Sequence, residues 1–315
     1  MQYVFGPVPS RRLGQSLGID PIPLKTCNRN CVYCQLGRTT SLTNTRREYC
    51  PGQEILLQVA SVLERHAPGE IDWITFVGSG EPTLHSGLGW MIREVKSLTT
   101  IPVAVITNGA LLYCPDVRSE LALADAVMPT LDAGSPDLYQ AINRPHPETT
   151  FKRILEGLTA FREEYKGRLW VEVMLVRGMN DSTSALRDIA AVLGKIHPDG
   201  VHIDLPSRPP AEPWVKPPND KGIARAVEIL GQKALVVSPS EGEFDLSGYD
   251  DIGDAVFGII SRHPMRETEL RRALECWTPG QVDVALAQLA AGGRVRTVKR
   301  NGVRFWASVE TRFPD

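Results

Sequence analysis

Apolar residues in this chain fall into short runs separated by stretches of helical period. The runs lie at 16–20, 72–77, 102–107, 126–131, 169–176 and 201–205, with a further one at 233–237. Between them, helical patterns occupy about 53–66, 87–98, 116–123, 148–165, 182–195 and 219–231. Short apolar runs bounded by turn residues read as buried strands, and longer segments with period 3.6 read as amphipathic helices. Strict strand–helix alternation predicts an α/β fold with a parallel sheet, because parallel strands need a long crossover. Functional residues in barrels of this kind gather at the C-terminal ends of the strands.

After residue 250 the pattern changes. Three short helices are expected at 254–261, 266–274 and 279–291; in the third, Val282, Ala285, Leu286 and Leu289 share one face. Strands at 294–299 and 303–308 follow, separated by Arg300-Asn301-Gly302. Asn-Gly is a strong hairpin signal, since both residues tolerate positive φ. The chain therefore divides into a unit at 1–240 and a small one at 250–315, where three helices and a hairpin resemble a winged helix. Within the first unit, 206–218 holds six prolines. Proline fixes φ and removes a donor, so this segment is neither helix nor inner strand. It is expected beside the barrel mouth, with Arg208 and Trp214 as parts of a lid or of a plain connector.

With 315 residues, 42% of them apolar, the chain is large enough for a sizeable core. Its net charge of −2 does not advertise nucleic-acid binding, but residues 252–315 carry ten Lys/Arg against seven Asp/Glu. No apolar run approaches the length of a membrane span, and the N-terminus lacks the basic-then-apolar pattern of a signal peptide. A reduced cytoplasmic setting is expected. Cys50, Cys114 and Cys276 are scattered and read as incidental thiols.

The other three cysteines stand close together. Cys27, Cys31 and Cys34 are spaced C-x3-C-x2-C in the loop after the first predicted strand. One short loop thus supplies three thiolates, and a four-iron cubane normally takes four. Three ligands leave one iron open to bind a substrate. A closed structural zinc site would need a fourth ligand, and the nearest cysteine, Cys50, is sixteen residues past Cys34.

This motif resembles that of the radical S-adenosylmethionine superfamily. The resemblance implies a 4Fe–4S cluster on Cys27, Cys31 and Cys34, with S-adenosylmethionine on the open iron. It implies reductive cleavage to a 5′-deoxyadenosyl radical, which abstracts hydrogen from a substrate. An electron donor of flavodoxin or ferredoxin type is implied as a partner. So is an incomplete (β/α)6 barrel of the radical SAM type. Tyr33 matches the family's aromatic position beside the adenine. Gly78-Ser79-Gly80-Glu81-Pro82, after the second predicted strand, resembles the Gly-Gly-Glu motif that binds the methionine amino group. Gly80 is expected to let the cofactor approach closely.

Three further strand ends carry candidate cofactor contacts. Asn108 ends the third strand, with a simple turn as its alternative. Asp132 ends the fourth, with a helix N-cap for 135–141 as the rival. Asn180 follows the fifth and serves the cofactor or caps the next helix. Longer strings, among them Phe5 to Gly14, Asn143-Arg144-Pro145 and Arg208-Pro209-Pro210, resemble the wyosine-synthase-like group. That group points to RNA, in particular tRNA, as substrate, with Arg294, Arg296, Lys299, Arg300 and Arg304 tracking phosphates and Phe305 and Trp306 stacking on a base. A protein or peptide substrate docked by the tail is the alternative. On either reading the tail is a modular delivery unit, and the barrel is expected to hold its cluster without it.

Overall fold

The computed structural model describes residues 2–237, 244–246, 248–249, 251–300 and 302–313. Its main body is one eight-stranded sheet in sequential order: β1 (Val4–Ser10), β2 (Gly14–Ile19), β3 (Trp73–Phe76), β4 (Val103–Thr107), β5 (Ala126–Pro129), β6 (Arg168–Met174), β7 (Gly200–Asp204) and β8 (Ala234–Val236). From β2 to β8 all neighbours are parallel, whereas β1 pairs antiparallel with β2. Helices α1 (Gly52–Arg65), α2 (Leu88–Leu98), α3 (Pro115–Leu121), α4 (Pro136–Asn143), α5 (Phe151–Glu164), α6 (Thr183–Ile196) and α7 (Asp220–Leu230) fill the crossovers. This is the expected α/β partial barrel.

Within the main sheet, the strand that the hydrophobic pattern missed is β1; in the tail it missed the short strand Met265–Arg266. β1 carries Gly6, Pro7 and Pro9, and its register slips between Phe5 and Val8. Prolines interrupt a ladder and are tolerated on sheet edges, which is where β1 lies.

Alternation along β6 separates core from interior. Leu169, Val171 and Val173 are fully buried, while Trp170, Glu172 and Met174 face the other way and are half-buried. Helices seal the outer face. On α1, Ile55, Leu56, Val59 and Val62 recur at helical spacing and are buried. On α5, Ile154, Leu158 and Phe161 do the same, and Phe161 stacks on Tyr165 at 4.7 Å. Burying one such side chain stabilises by about 1.5–3 kcal/mol.

The tail forms its own small layer: α8 (Ile252–Arg262), β9 (Met265–Arg266), α9 (Glu267–Ala273), α10 (Pro279–Ala291), β10 (Val295–Arg300) and β11 (Val303–Ser308), with strand order β10-β11-β9. Thr278 and Gln281 make a capping box that starts α10. Val256, Ile260, Leu270, Leu286 and Val295 form a separate apolar core. Arg300 faces Val303 across the hairpin; Gly302 has φ +78, and Asn301 lies outside the described residues. No helix among the described residues is long and apolar enough to cross a membrane.

Candidate active site

The cysteine loop leaves β2 and is gripped at once by the turn after β3. Lys25 N–H donates to the Ser79 carbonyl at 2.7 Å, and Glu81 N–H donates to the Thr26 carbonyl at 2.9 Å. A β-carbon on Gly80 would sit 1.9 Å from the Thr26 carbonyl oxygen. The missing side chain at Gly80 therefore makes room for the cysteine loop itself. This changes the expectation that Gly80 serves cofactor approach alone. Ser79 is pinned from below: its hydroxyl donates to Asp20 Oδ2 at 2.6 Å and its N–H to Oδ1 at 3.1 Å. Gly78 meets only its own turn.

Glu81 bolts two strand ends together. Buried to 1% exposure, its Oε1 accepts from Thr83 N–H and from the hydroxyls of Thr83 and Thr107; Oε2 accepts from Asn108 N–H at 2.7 Å. Only Oε2 keeps an open acceptor position for a ligand. Asn108 in turn faces the cysteines, its amide reaching Asn28 Oδ1 at 2.7 Å and Cys27 Sγ at 3.7 Å.

The far side of the loop rests on β5 and α4. Val32 N–H donates to the Ile142 carbonyl, and Val32, Ile142, Val176 and Val215 pack together. Asp132 is the polar hub here. It accepts from the Tyr33 hydroxyl at 2.5 Å, Asn143 Nδ2 at 2.7 Å and Met174 N–H at 2.8 Å. Asn143 also reaches Cys31 Sγ at 3.5 Å. Asp132 thus positions Tyr33 and, through Asn143, the second cysteine. It caps no helix, since Ser135 caps α4. Asn180, expected at the cofactor, is instead fully buried. It accepts from Val176 N–H and donates to the Asp132 and Met174 carbonyls, which ties down the turn after β6.

All three sulfurs have donors. Arg29 N–H approaches Cys27 at 3.4 Å, and Lys25 Nζ approaches Cys34 at 3.2 Å while also binding the Gly37 carbonyl. Lys25 reaches inward from a left-handed backbone, φ 60. Burial pushes the Cys27 thiol up to about 12 and raises Cys31 as well, and a bound metal would draw both toward thiolate. Arg29 is 2% exposed, with its Nε and Nη2 unpartnered, and lies 5.1 Å from the Tyr139 ring. Among the described residues no carboxylate pairs with it within 4.0 Å. A cluster held by three thiolates is anionic, and Arg29 supplies the buried positive charge beside it. Among the described residues no three Cys, His, Asp or Glu side chains close on a single ion. Three sulfurs on one loop, each met by a donor and set beside the buried Arg29, fit an anionic iron–sulfur cluster.

The exit of the loop is held by the tail. Gln35 donates to the Arg262 carbonyl at 3.3 Å, pairs with His263 Nδ1 at 2.9 Å, and accepts from Arg208 Nη1 at 3.0 Å. Arg38 N–H donates to the Arg312 carbonyl, and Arg312 Nη1 binds the Thr40 hydroxyl. Arg38 and Arg144 converge on Glu212 in the proline segment, and the Arg38 pairing holds the Glu212 carboxyl below its usual range. The tail is therefore built into the site, against the expectation of a detachable module. Its basic residues are also largely engaged. Arg300 ties the Arg208 and Val215 carbonyls, Arg296 binds the Thr311 carbonyl and Arg304 pairs with Glu267. Phe305 is buried and Trp306 packs on the tail core, so neither offers a free stacking face.

Inside the barrel, Arg12 on the β1–β2 turn reaches Glu172 at 2.6 Å and Asp204 at 2.9 Å. Sequence reasoning missed this set, as well as Lys25, Arg29, Gln35 and Asn143. The only signals were a charged residue within an otherwise apolar strand and polar residues flanking the cysteines.

Residues 22–204 match the family model described as the radical SAM superfamily. The chain belongs to the radical SAM superfamily. A UPF0026 protein of Methanocaldococcus jannaschii is 37% identical over 87% of this chain and 86% of its own length. A protein named GTPase Obg from Brachyspira hyodysenteriae is 44% identical over 71% of this chain, and the match spans only 32% of that relative. The crystal structure of a radical SAM methyltransferase from Sphaerobacter thermophilus shares the fold, with TM-score 0.54 and 20% identity over 70% of this chain and 66% of that one. This radical SAM enzyme uses a 4Fe–4S cluster and S-adenosylmethionine, which when bound supply one-electron cleavage of a carbon–sulfur bond. Cys27, Cys31 and Cys34 are the residues that would hold the cluster. Asn108, Asn143, Lys25 and the Arg29 backbone direct donors at their sulfurs, which tunes the potential of such a cluster.

Proposed function

We propose that this radical SAM enzyme modifies RNA. The observation that carries the reading is a cavity of about 840 Å³ over the outer side of the cysteine loop, lined by Lys25, Arg47 and Arg312, by Arg38 with its partner Glu212 behind it, and by one acid, Glu310. Hydroxyls of Thr40, Ser41, Thr43 and Thr45 complete its wall. Arg47 lies 4.6 Å from the Tyr49 ring, an aromatic–cation pair of the sort that receives a base. Cations with neutral donors suit phosphates, and the likeness of several strings to the wyosine-synthase-like group supports the same class. The tail's order, helix–strand–helix–helix–strand–strand, supports the winged-helix reading. We take it as a clamp on the cysteine loop, in a cytoplasmic enzyme fed by a flavodoxin- or ferredoxin-type donor.

A peptide substrate is the second reading. It is favoured by α10, which contains no Lys or Arg and leaves Val284 57% exposed. The two separate on salt. Affinity for tRNA should fall steeply between low and moderate salt. Arg47→Gln with Tyr49→Ala should weaken binding and reduce the slope by about 0.7–0.9 for each phosphate that the variant no longer neutralises. Unchanged affinity and slope in that variant remove the RNA reading.

A further inference from the structure

Three segments meet at the open edge of the barrel: the β1–β2 turn, the proline segment after β7 and the end of α8. They set Arg208 and His263 on Gln35, the residue directly after Cys34, with Arg11 on Ser207 next to Arg208. Arg208 Nη1 donates to Gln35 Oε1 at 3.0 Å, and Arg11 Nη2 donates to the Ser207 hydroxyl at 3.1 Å. Gln35 Nε2 faces His263 Nδ1 at 2.9 Å, so the ring accepts there and keeps its proton on Nε2 as a further donor.

The charges around this point are unevenly matched. Arg12 is taken by Glu172 and Asp204, and Arg262 lies 3.6 Å from Asp20. Among the described residues, neither Arg11 nor Arg208 has a carboxylate within 4.0 Å. Glu269 is the acid that acts on Arg208, and Asp204 the one that feels Arg11. Burial, then the like charge of Arg11, lowers Arg208 to about 10, and burial with Arg208, Arg262 and Arg11 holds His263 well below its ordinary value. Two guanidiniums are thus held near each other in a half-buried site where their side-chain hydrogen-bond partners, Ser207 and Gln35, are neutral and the acids act from beyond 4.0 Å. Folding alone gives no return for that repulsion, whereas an arriving anion relieves it.

We propose that Arg11, Arg208 and the Nε2 of His263 form a binding site for a phosphate group of the substrate, set beside the cluster loop through Gln35. The proposal rests on the reading of an anionic substrate. It concerns the barrel edge, a different surface from the Arg47–Tyr49 cavity. Two guanidiniums and one ring N–H are the donor types that a phosphate takes, with Arg able to bind in bidentate fashion. Because Gln35 directly follows Cys34, an occupied site fixes the loop exit as well as the substrate.

The test uses full-length protein reconstituted anaerobically with its cluster. Binding of inorganic phosphate and of a pentauridylate lacking terminal phosphate is measured by calorimetry for the parent, Arg11→Gln, Arg208→Gln and Arg208→Lys. Charge-assisted bonds of this type lead us to expect a loss of about tenfold or more in each Gln variant and partial recovery in Arg208→Lys. Among the described residues Arg11 makes one side-chain bond, to Ser207, so Arg11→Gln should keep the parent melting temperature and read the site without a folding defect. If pentauridylate depends on Arg11, the phosphate belongs to a nucleic acid. If only inorganic phosphate depends on it, a free phosphorylated molecule is the occupant. Binding of both probes that is unchanged in Arg11→Gln and Arg208→Gln, or absent in the parent, overturns the site. Loss of the Arg47–Tyr49 salt effect with retained phosphate binding at Arg11 would remove the RNA reading and keep this one.

Discussion

Gly37 and Arg312 lie so close that a β-carbon on Gly37 would stand 2.2 Å from the Arg312 carbonyl oxygen. Gly37 also has φ +78, a conformation that glycine adopts freely. The last described segment of the chain is thereby laid directly on the cysteine loop, three residues beyond Cys34. Gly37→Val should force the two apart, both by the clash and by backbone strain. We expect reconstituted protein to lose iron faster on dilution or chelation, with the barrel still folded. Removing residues 252–315 should do the same more severely. Iron content and visible absorption over time check both, and a truncated barrel that retains its cluster as the parent does would contradict the clamp.

Gly80 carries the second prediction. Its β-carbon would sit 1.9 Å from the Thr26 carbonyl oxygen, one residue before Cys27. A backbone atom cannot swing aside as a side chain tip can. Gly80→Val should therefore lower cluster loading together with S-adenosylmethionine affinity. Gly78→Ala serves as the control, since a β-carbon there meets its own turn at 3.2 Å or more. Full iron loading in Gly80→Val, with only cofactor affinity reduced, would restore a purely ligand-facing role.

Most of the fold was legible because parallel strands are buried on both faces and announce themselves as apolar runs. β2 to β8 and the crossover helices fall within a few residues of the pattern. β1 was hidden because its prolines and bulge erase the alternation that marks a strand. The three cysteines were legible from spacing alone. What surrounds them was not, because their partners come from distant segments: Asp132 to Tyr33 spans 99 residues and Gln35 to His263 spans 228. Polar residues at strand ends looked like ligand contacts, and in Asn180 the same chemistry closes a turn. The tail's arginines looked free in sequence because a basic residue says nothing about the carbonyls that will meet it.

Glu81 supports a prediction about stability and site geometry together. Its carboxylate accepts four protein hydrogen bonds and joins the ends of β3 and β4. Glu81→Gln keeps the shape but turns one oxygen into an amide donor. That donor would face either Asn108 N–H or the threonine hydroxyls. With at least one charge-assisted bond removed and a donor set against a donor, destabilisation of about 2 kcal/mol or more is expected. Urea unfolding of the apoprotein measures it. A variant as stable as the parent would show that these bonds are dispensable.

The barrel interior gives the last prediction, on pH. Burial raises Glu172 from an ordinary 4.5 to about 7, with Arg12 opposing and Asp204 and Asp132 adding to the rise. Burial, aided by Arg12, lowers His202 from 6.5 to about 4, and its Nδ1 has no hydrogen-bond partner among the described residues. The two act in opposite senses. Between about 4.5 and 7 the folded protein holds the Glu172 proton more tightly than the unfolded chain, so its share of stability falls as pH rises. Between about 4 and 6.5 the unfolded chain holds the His202 proton more tightly, so that share rises with pH. Each group acting alone has a limiting slope of about 1.4 kcal/mol per pH unit. In the parent they largely cancel from 4.5 to 6.5. Glu172→Gln should expose the His202 slope, giving stability that climbs from pH 4 to 6.5 and then levels. His202→Asn should expose the Glu172 slope, giving stability that declines from 4.5 to 7. Urea midpoints across this range decide the matter. If the three proteins give parallel curves, Glu172 and His202 are not shifted in these directions, and the interior is wetter than the Arg12 ion pairs imply.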